Sequence, residues 1–156
     1  MPKKPIKIIK KASKVKVKIK KLNGKKLKQK KNYKFCVVAF KTVEGVDKVL
    51  GRTVTAHIVG KKNKKYSNPK KLTLAKSQKT LKVGKKFKIK AKVTLVNKKR
   101  KSLSDKHAPM FRYVSTNKAV ATVDKNGTVK AIGKGTCYIW VYAKNGYGKK
   151  VKITVK

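Results

Sequence analysis

The sequence predicts an all-β protein built around a β-sandwich, and three observations support this. Apolar residues alternate with lysine or other polar residues over several short runs, which is the period-two pattern of strands with one buried face. Turn-forming residues such as Asn126-Gly127 separate these runs at the short spacing typical of a β-sandwich. Apolar residues do not recur convincingly at three- and four-residue steps, so an amphipathic helix is not indicated.

The predicted strands divide into two groups along the chain. In chain order they are 14–20, 33–41, 53–59, 81–83, 87–93, 121–124, 128–131, 136–142 and 151–155. A polar run without alternation, 61–69, separates the first three from the rest. A domain boundary therefore lies between about 61 and 72, and we predict an N-terminal segment, 1–66, and a C-terminal domain, 67–156.

Alternation also predicts the core of the C-terminal domain, because the apolar members of each run share one face of their strand. A shift of one residue in register would turn each set toward solvent. The predicted core residues are Leu81, Val83, Phe87, Ile89, Val93, Tyr113, Val123, Ile139, Val141 and Ile153.

Lysine dominates the charge. The chain has 48 Lys and Arg residues against four acids, Glu44, Asp47, Asp105 and Asp124, for a formal charge of +44. Charge of one sign at this density attracts polyanions and disfavours calcium sites or carboxylate pairs. Lysine lacks the planar fork of arginine, so such binding would be broad and sensitive to salt. For any single lysine, a solvated strand face is the better interpretation.

Catalytic and metal-binding patterns are absent from the sequence. His57 and His107 lack the acid and serine spacing of a triad, and no serine stands in a G-x-S-x-G elbow. Cys36 and Cys137 lie in different segments without a CxxC pattern, and two buried thiols are favoured over a bridge. We therefore predict no catalytic site, no metal and no cofactor.

The C-terminal domain resembles the bacterial immunoglobulin-like domain, group 2. Residues 115–127, STNKAVATVDKNG, are similar to the family's "SSN-x-x-VATVD-x-NG" signature, and 131–139, AIGKGTCYI, to its "A-x-x-x-GTATI" strand. Tyr113 stands where many members carry Trp, and an insertion at 98–108 lengthens the preceding loop. The resemblance implies an immunoglobulin-like β-sandwich from a bacterial cell-surface protein, serving as an adhesive unit or a spacer beside further repeats.

The N-terminal segment resembles part of a fibronectin type III domain. Leu27 precedes Tyr33 by six residues, as at the tyrosine corner of that family, and 53–58 would be the last strand. The front half of such a domain is missing. The segment is then a cut domain, a shortened variant, or a module completed by another chain.

Six residues are candidates for ligand binding. Alternation places Tyr138, Trp140 and Tyr142 opposite the Ile139 face, so three aromatic rings would point outward as a stacking platform for sugars or bases. The alternative, which we favour, is that they cover the domain junction or belong to the opposite face of the core. The lysines of the 87–93 strand complete the set: Lys88, Lys90 and Lys92.

These features favour a non-catalytic domain at the bacterial cell surface that attracts anionic polymers, such as cell-wall or host glycans, with low specificity. The alternative is an intracellular nucleic-acid-binding protein that uses the same basic surface. The basic amino terminus, MPKKPIKIIKKASK, shows no signal peptide, and no apolar run approaches the roughly 20 residues of a membrane span. Either the protein stays inside the cell, or the sequence is a mature form or an excised fragment.

Overall fold

Short β-strands make up the regular structure of the computed structural model, which describes residues 21–22 and 24–156. The predicted strand at 14–20 lies outside these residues. The strands are β1 Lys21–Leu22, β2 Lys25–Lys26, β3 Asn32–Phe35, β4 Val38–Val43, β5 Val46–Arg52, β6 Ala56–Val59, β7 Pro69–Leu74, β8 Gln78–Leu81, β9 Lys86–Lys88, β10 Ala91–Leu95, β11 Phe111–Ser115, β12 Ala121–Val123, β13 Thr128–Ala131, β14 Gly135–Ala143 and β15 Gly148–Val155. The predicted all-β class is confirmed.

Strands β7 to β15 form two layers that face each other. The first, which we call the front sheet, has the order β11-β14-β15-β8, with β8 parallel to β15. The second layer, which we call the back sheet, consists of two smaller sheets linked by β9 and β10, which follow each other along one extended run. β13 pairs with β9 and carries β12 on its other edge, while β7 pairs with β10. This arrangement is an immunoglobulin-like sandwich.

The core lies between these two sheets. Ile139, Val141 and Ile153 of the front sheet are fully buried and belong to one cluster with Leu72 and Val129 of the back sheet. Nine of the ten predicted core residues are buried or packed against this cluster. Each fully buried Leu, Ile or Val contributes about 1.5–3 kcal/mol to stability.

Val83 is the tenth, and its prediction is wrong. Its side chain is 49% exposed, because β8 ends at Leu81 and the chain turns at once. The Lys85 amide donates to the Lys82 carbonyl, and Gly84 has a φ of 81°. The turn ends the strand two residues earlier than the alternation indicates.

The predicted turn at Asn126-Gly127 is confirmed. It joins β12 to β13, and the Asp124 amide donates to the Thr128 carbonyl at 3.1 Å. The Asp124 carboxylate accepts from the amides of Asn126 and Thr128, both at 2.8 Å, and these bonds lower its pKa. Gly127 has a φ of 80°, a conformation that L-residues rarely adopt.

Residues 32–59 form one long β-hairpin in two parts. Its base, β3 paired with β6, lies against the sandwich, where the His57 amide donates to the Lys144 carbonyl at 2.7 Å. The side chain of Asn68 binds both the amide and the carbonyl of Val59. The outer part, β4 paired with β5, is exposed along nearly its whole length. We call residues 38–52 the arm.

Candidate ligand-binding surfaces

The three aromatic candidates lie on the outer face of the front sheet. Along β14 the odd-numbered residues Cys137 to Ala143 are buried, so Tyr138, Trp140 and Tyr142 point away from the core and are half-buried. The rings of Trp140 and Tyr142 stack at 5.7 Å between centroids with 14° between their planes. We call these three residues the aromatic stripe.

Neighbouring strands hold the stripe in place. Lys150, opposite Trp140 on β15, places its Nζ 4.1 Å from the centroid of the Tyr138 ring and 5.9 Å from that of Trp140. Gly148 lies opposite Tyr142, and a Cβ at Gly148 would come within 2.8 Å of that ring. The aromatic ring therefore covers the backbone of a glycine, and a cation covers the other end of the stripe.

The lysine candidates lie on the other side of the sandwich. Phe87, Ile89, Ala91 and Val93 face the core, so the lysines between them point outward from the back sheet. Lys88 donates its Nζ hydrogen to the Asn126 carbonyl at 2.6 Å, close to the β12–β13 turn. The structure thus does not bring all six candidates together. It makes two surfaces on opposite faces, the aromatic stripe and the row Lys88, Lys90 and Lys92.

The base of the hairpin meets the sandwich near one end of the stripe. Arg112, opposite Tyr142 on β11, donates to the backbone carbonyls of Thr55, Ala143 and Lys144. Burial lowers the pKa of Arg112 below its ordinary value and raises that of Tyr142. Arg112 therefore ties the N-terminal segment to the front sheet, a role that the sequence pattern did not indicate.

A lysine is buried at the same junction. Lys144 is 1% exposed, and its Nζ donates to the Leu103 carbonyl and to the Asp105 carboxylate, the latter at 2.5 Å. Leu103 and Asp105 belong to the inserted loop, so this loop supplies the partners of the buried cation. In a chain with 48 basic residues, one buried lysine has no distinguishing signal in the sequence.

The two histidines meet at this junction. His57 and His107 contact edge to face at 5.1 Å, and Nδ1 of His57 is buried without a hydrogen-bond partner. Burial lowers the pKa of His57, and the charges of His107, Arg112, Lys34 and Lys144 lower it further. Among the described residues, no group of three or more His, Cys, Asp or Glu is placed to hold a metal ion.

The cysteines differ in exposure. Cys36 is exposed and Cys137 is 2% exposed, and both are free thiols. Burial raises the pKa of Cys137. The prediction of two buried thiols is therefore wrong for Cys36, which lies between β3 and β4, where the hairpin leaves the sandwich.

Comparison with solved structures finds several similar chains, each at low sequence identity. An intimin mutant of EHEC O157:H7 is similar with a TM-score of 0.41 and 19% identity, over 54% of this chain and 45% of that one. Domains 4 and 5 of the S-layer protein SbsC are similar with a TM-score of 0.45 and 15% identity, over 65% of this chain and 58% of that one. Domains 1–6 of SbsC are similar with a TM-score of 0.46 and 16% identity, over 65% of this chain and 14% of that one. The chain thus spans less than two thirds of each. No curated protein sequence matches it.

Among the residues that the structure describes, no helix has the length and apolar character needed to cross a membrane.

The family model of the bacterial Ig-like domain (group 2) matches residues 70–155, which include all nine strands of the sandwich except the first residue of β7. The match covers more than half of the chain and confirms the resemblance seen in the C-terminal domain. The similarity begins at residue 70, so the fibronectin type III resemblance of the N-terminal segment stays a prediction. The chain belongs to the bacterial Ig-like domain (group 2) family.

Proposed function

We propose that this chain is a non-catalytic unit of a bacterial cell-surface protein and that it holds anionic polysaccharide, of the cell wall or of a host, on its outer faces. Family membership supports the location and the role as an adhesive unit or spacer beside other repeats. The observation that carries the binding proposal is the aromatic stripe, with Lys150 over its rings on the outer face of the front sheet.

Stacked rings beside a cation suit an anionic sugar polymer. The apolar face of a sugar ring packs on an aromatic plane, as bases do on the aromatic platforms of single-strand-binding proteins. Lys150 and Lys152 flank the rings from β15 and supply charge for a sulfate, phosphate or carboxylate group. The ligand contacts an open face, so affinity comes from repetition along the polymer.

The row on the back sheet gives the chain a second basic surface. Lys90 and Lys92 are exposed and point away from the aromatic stripe, across the thickness of the sandwich. Lysine binds phosphate or sulfate as a point charge, without bidentate geometry, so this surface attracts anions with little selectivity. Two basic faces allow one molecule to contact two polymer strands at once.

Binding measurements on matched variants test the proposal. We expect heparin and teichoic acid to bind the full chain at low salt, with log affinity falling linearly as log salt rises. Trp140→Ala should weaken binding by about 5- to 150-fold, because one stacked ring contributes about 1–3 kcal/mol. Val114→Ala, on the same face and opposite Trp140, is the control and should leave affinity unchanged. Equal affinities for both variants would contradict the role of the stripe.

Lys90→Ala/Lys92→Ala probes the back sheet separately. We expect a modest loss of affinity and a shallower salt dependence, since fewer counterions are released. The nucleic-acid alternative makes a different prediction in the same assay. Sequence-selective DNA binding that survives high salt would favour an intracellular nucleic-acid-binding protein and overturn the polysaccharide proposal.

A further inference from the structure

The arm is an exposed two-stranded ribbon with an apolar face. Except for half-buried Val43, every residue of β4 and β5 is exposed. Phe40 is 41% exposed, Val49 64% and Leu50 70%. A two-stranded hairpin alone is marginally stable in water, and contiguous exposed apolar side chains usually mark a contact surface. The arm therefore has the features of a docking element.

The strand register shows which side chains share the apolar face. Directly opposite residues of an antiparallel pair lie on the same face. Val38 pairs with Arg52, Phe40 with Val49, and Thr42 with Asp47. These three pairs form one face, and the hydrogen bond from Thr42 Oγ1 to Asp47 Oδ1, 2.7 Å, joins two of its members. Lys41 and Lys48 pair on the other face.

The apolar face carries opposite charges at its two ends, at similar distances from its middle. Arg52 lies at the end of the face next to the sandwich, Asp47 lies at the outer end, and Phe40 with Val49 lies between them. Both charged residues belong to β5. A two-fold axis that runs across the strands through the middle pair would place Arg52 of one copy over Asp47 of the other, twice. Phe40 and Val49 would meet their own copies at the centre.

We propose that the arm binds the arm of a second copy of this chain, apolar face to apolar face and antiparallel. The interface is isologous, as in most two-fold dimers. Its centre buries Phe40 and Val49, next to Leu50, which has no partner on β4 because the register shifts between Ala39 and Phe40. Two Arg52–Asp47 ion pairs close its ends.

Net charge explains why this surface, and not another, would pair with a copy of the chain. The arm holds Lys41, Lys48 and Arg52 against Glu44 and Asp47, a net charge of +1, and so contains two of the four acids of the chain. The other residues carry nearly all of the +44, so contacts between other parts of two copies are repulsive.

Antiparallel pairing also places the two basic sandwiches at opposite ends of the paired arms. An arm of six residue pairs is about 20 Å long at roughly 3.4 Å per residue. This distance is about two and a half Debye lengths at physiological salt, so the repulsion between the sandwiches is largely screened. A parallel arrangement would bring them side by side.

Charge reversal provides the test, with the full chain studied by sedimentation equilibrium. Asp47→Arg places two arginines, and Arg52→Asp two aspartates, at both ends of the interface, so each variant alone should stay monomeric. Mixed together, the two variants should form a heterodimer, because each arginine then faces an aspartate. The double variant Asp47→Arg/Arg52→Asp should dimerise as the wild type does.

Glu44→Arg and Lys48→Asp are the matched controls. They change net charge as much as the two test variants do, but Lys48 lies on the opposite face and Glu44 in the turn, so both should dimerise. Wild-type dimerisation should strengthen as salt rises from low to physiological concentration, which screens the repulsion between the sandwiches, whereas polysaccharide binding weakens. A wild type that stays monomeric at physiological salt overturns the proposal, as does a mixture of the two reversals that stays monomeric.

Discussion

Replacing Gly127 by alanine should destabilise the sandwich by two separable effects. The residue has a φ of 80°, where an L-residue loses about 1–2 kcal/mol. In addition, a Cβ at this position would lie 2.5 Å from Cζ of Tyr113, whose ring packs against the core cluster. Displacing such a ring costs a further 1–3 kcal/mol, roughly the cost of overpacking. The free energy of unfolding should therefore fall by about 2–5 kcal/mol in total.

Gly84→Ala isolates the backbone effect. Gly84 has a φ of 81°, and a Cβ there would have no neighbour within 4 Å. This variant should lose only about 1–2 kcal/mol. Denaturant unfolding of the full chain measures both losses, with Trp140, the single tryptophan, reporting on the sandwich through its fluorescence.

A Tyr113→Leu background removes the ring that alanine at 127 would strike. In that background Gly127→Ala should lose no more than Gly84→Ala does, apart from the cost of Tyr113→Leu itself. Equal losses for the two glycine variants in the wild-type background would refute the steric contribution of Tyr113. They would leave backbone conformation as the whole effect.

Three further predictions concern the core, the cysteines and pH. Ile139→Ala, at a fully buried position, should lower the free energy of unfolding by about 2–5 kcal/mol, whereas Val83→Ala should change it by no more than about 0.5 kcal/mol. A maleimide should label Cys36 in the folded protein and Cys137 only after unfolding, as read by mass spectrometry; labelling of both at one rate would contradict the burial of Cys137. Because the pKa of His57 is lower in the folded chain than the ordinary 6.5, the unfolded chain takes up the proton first, so stability should fall as the pH drops below 6.5. His57→Gln should remove this part of the pH dependence, and an unchanged slope would show that another group causes it.

Alternation predicted the core well, because it depends only on neighbours along one strand, but it predicted the strands less completely. It gave no strand at β5, β7 or β11, and it joined β3 and β4 into one strand, 33–41. Ile139 and Val141 are buried as predicted, and the Asn126-Gly127 turn lies where expected. Val83 continues the alternation of its run but lies in a turn, since the pattern does not show where a strand ends. Gly84, which directly follows Val83, is the residue that could have indicated this turn.

The candidate site was harder to predict. Alternation shows which residues share one face of a strand, but it does not show which sheet of the sandwich that strand joins. Lys90 and Trp140 both point outward, yet they lie on opposite faces of the sandwich because their strands belong to different sheets. Arg112 and Lys144 were missed for another reason. Their partners are backbone carbonyls and one distant acid, and neither leaves a mark in the sequence beside them.

Peptide carbonyls receive most of the hydrogen bonds from the cations held at the junction. Arg112 donates to three of them, and Lys144 adds the carbonyl of Leu103 to its single acid, Asp105. Carbonyls do not titrate, so acid, which unfolds many proteins by protonating paired carboxylates, has few such pairs to break here. Every sequence also supplies these acceptors, whatever its side chains. A chain with only four acidic residues can therefore still provide hydrogen-bond partners for these buried cations.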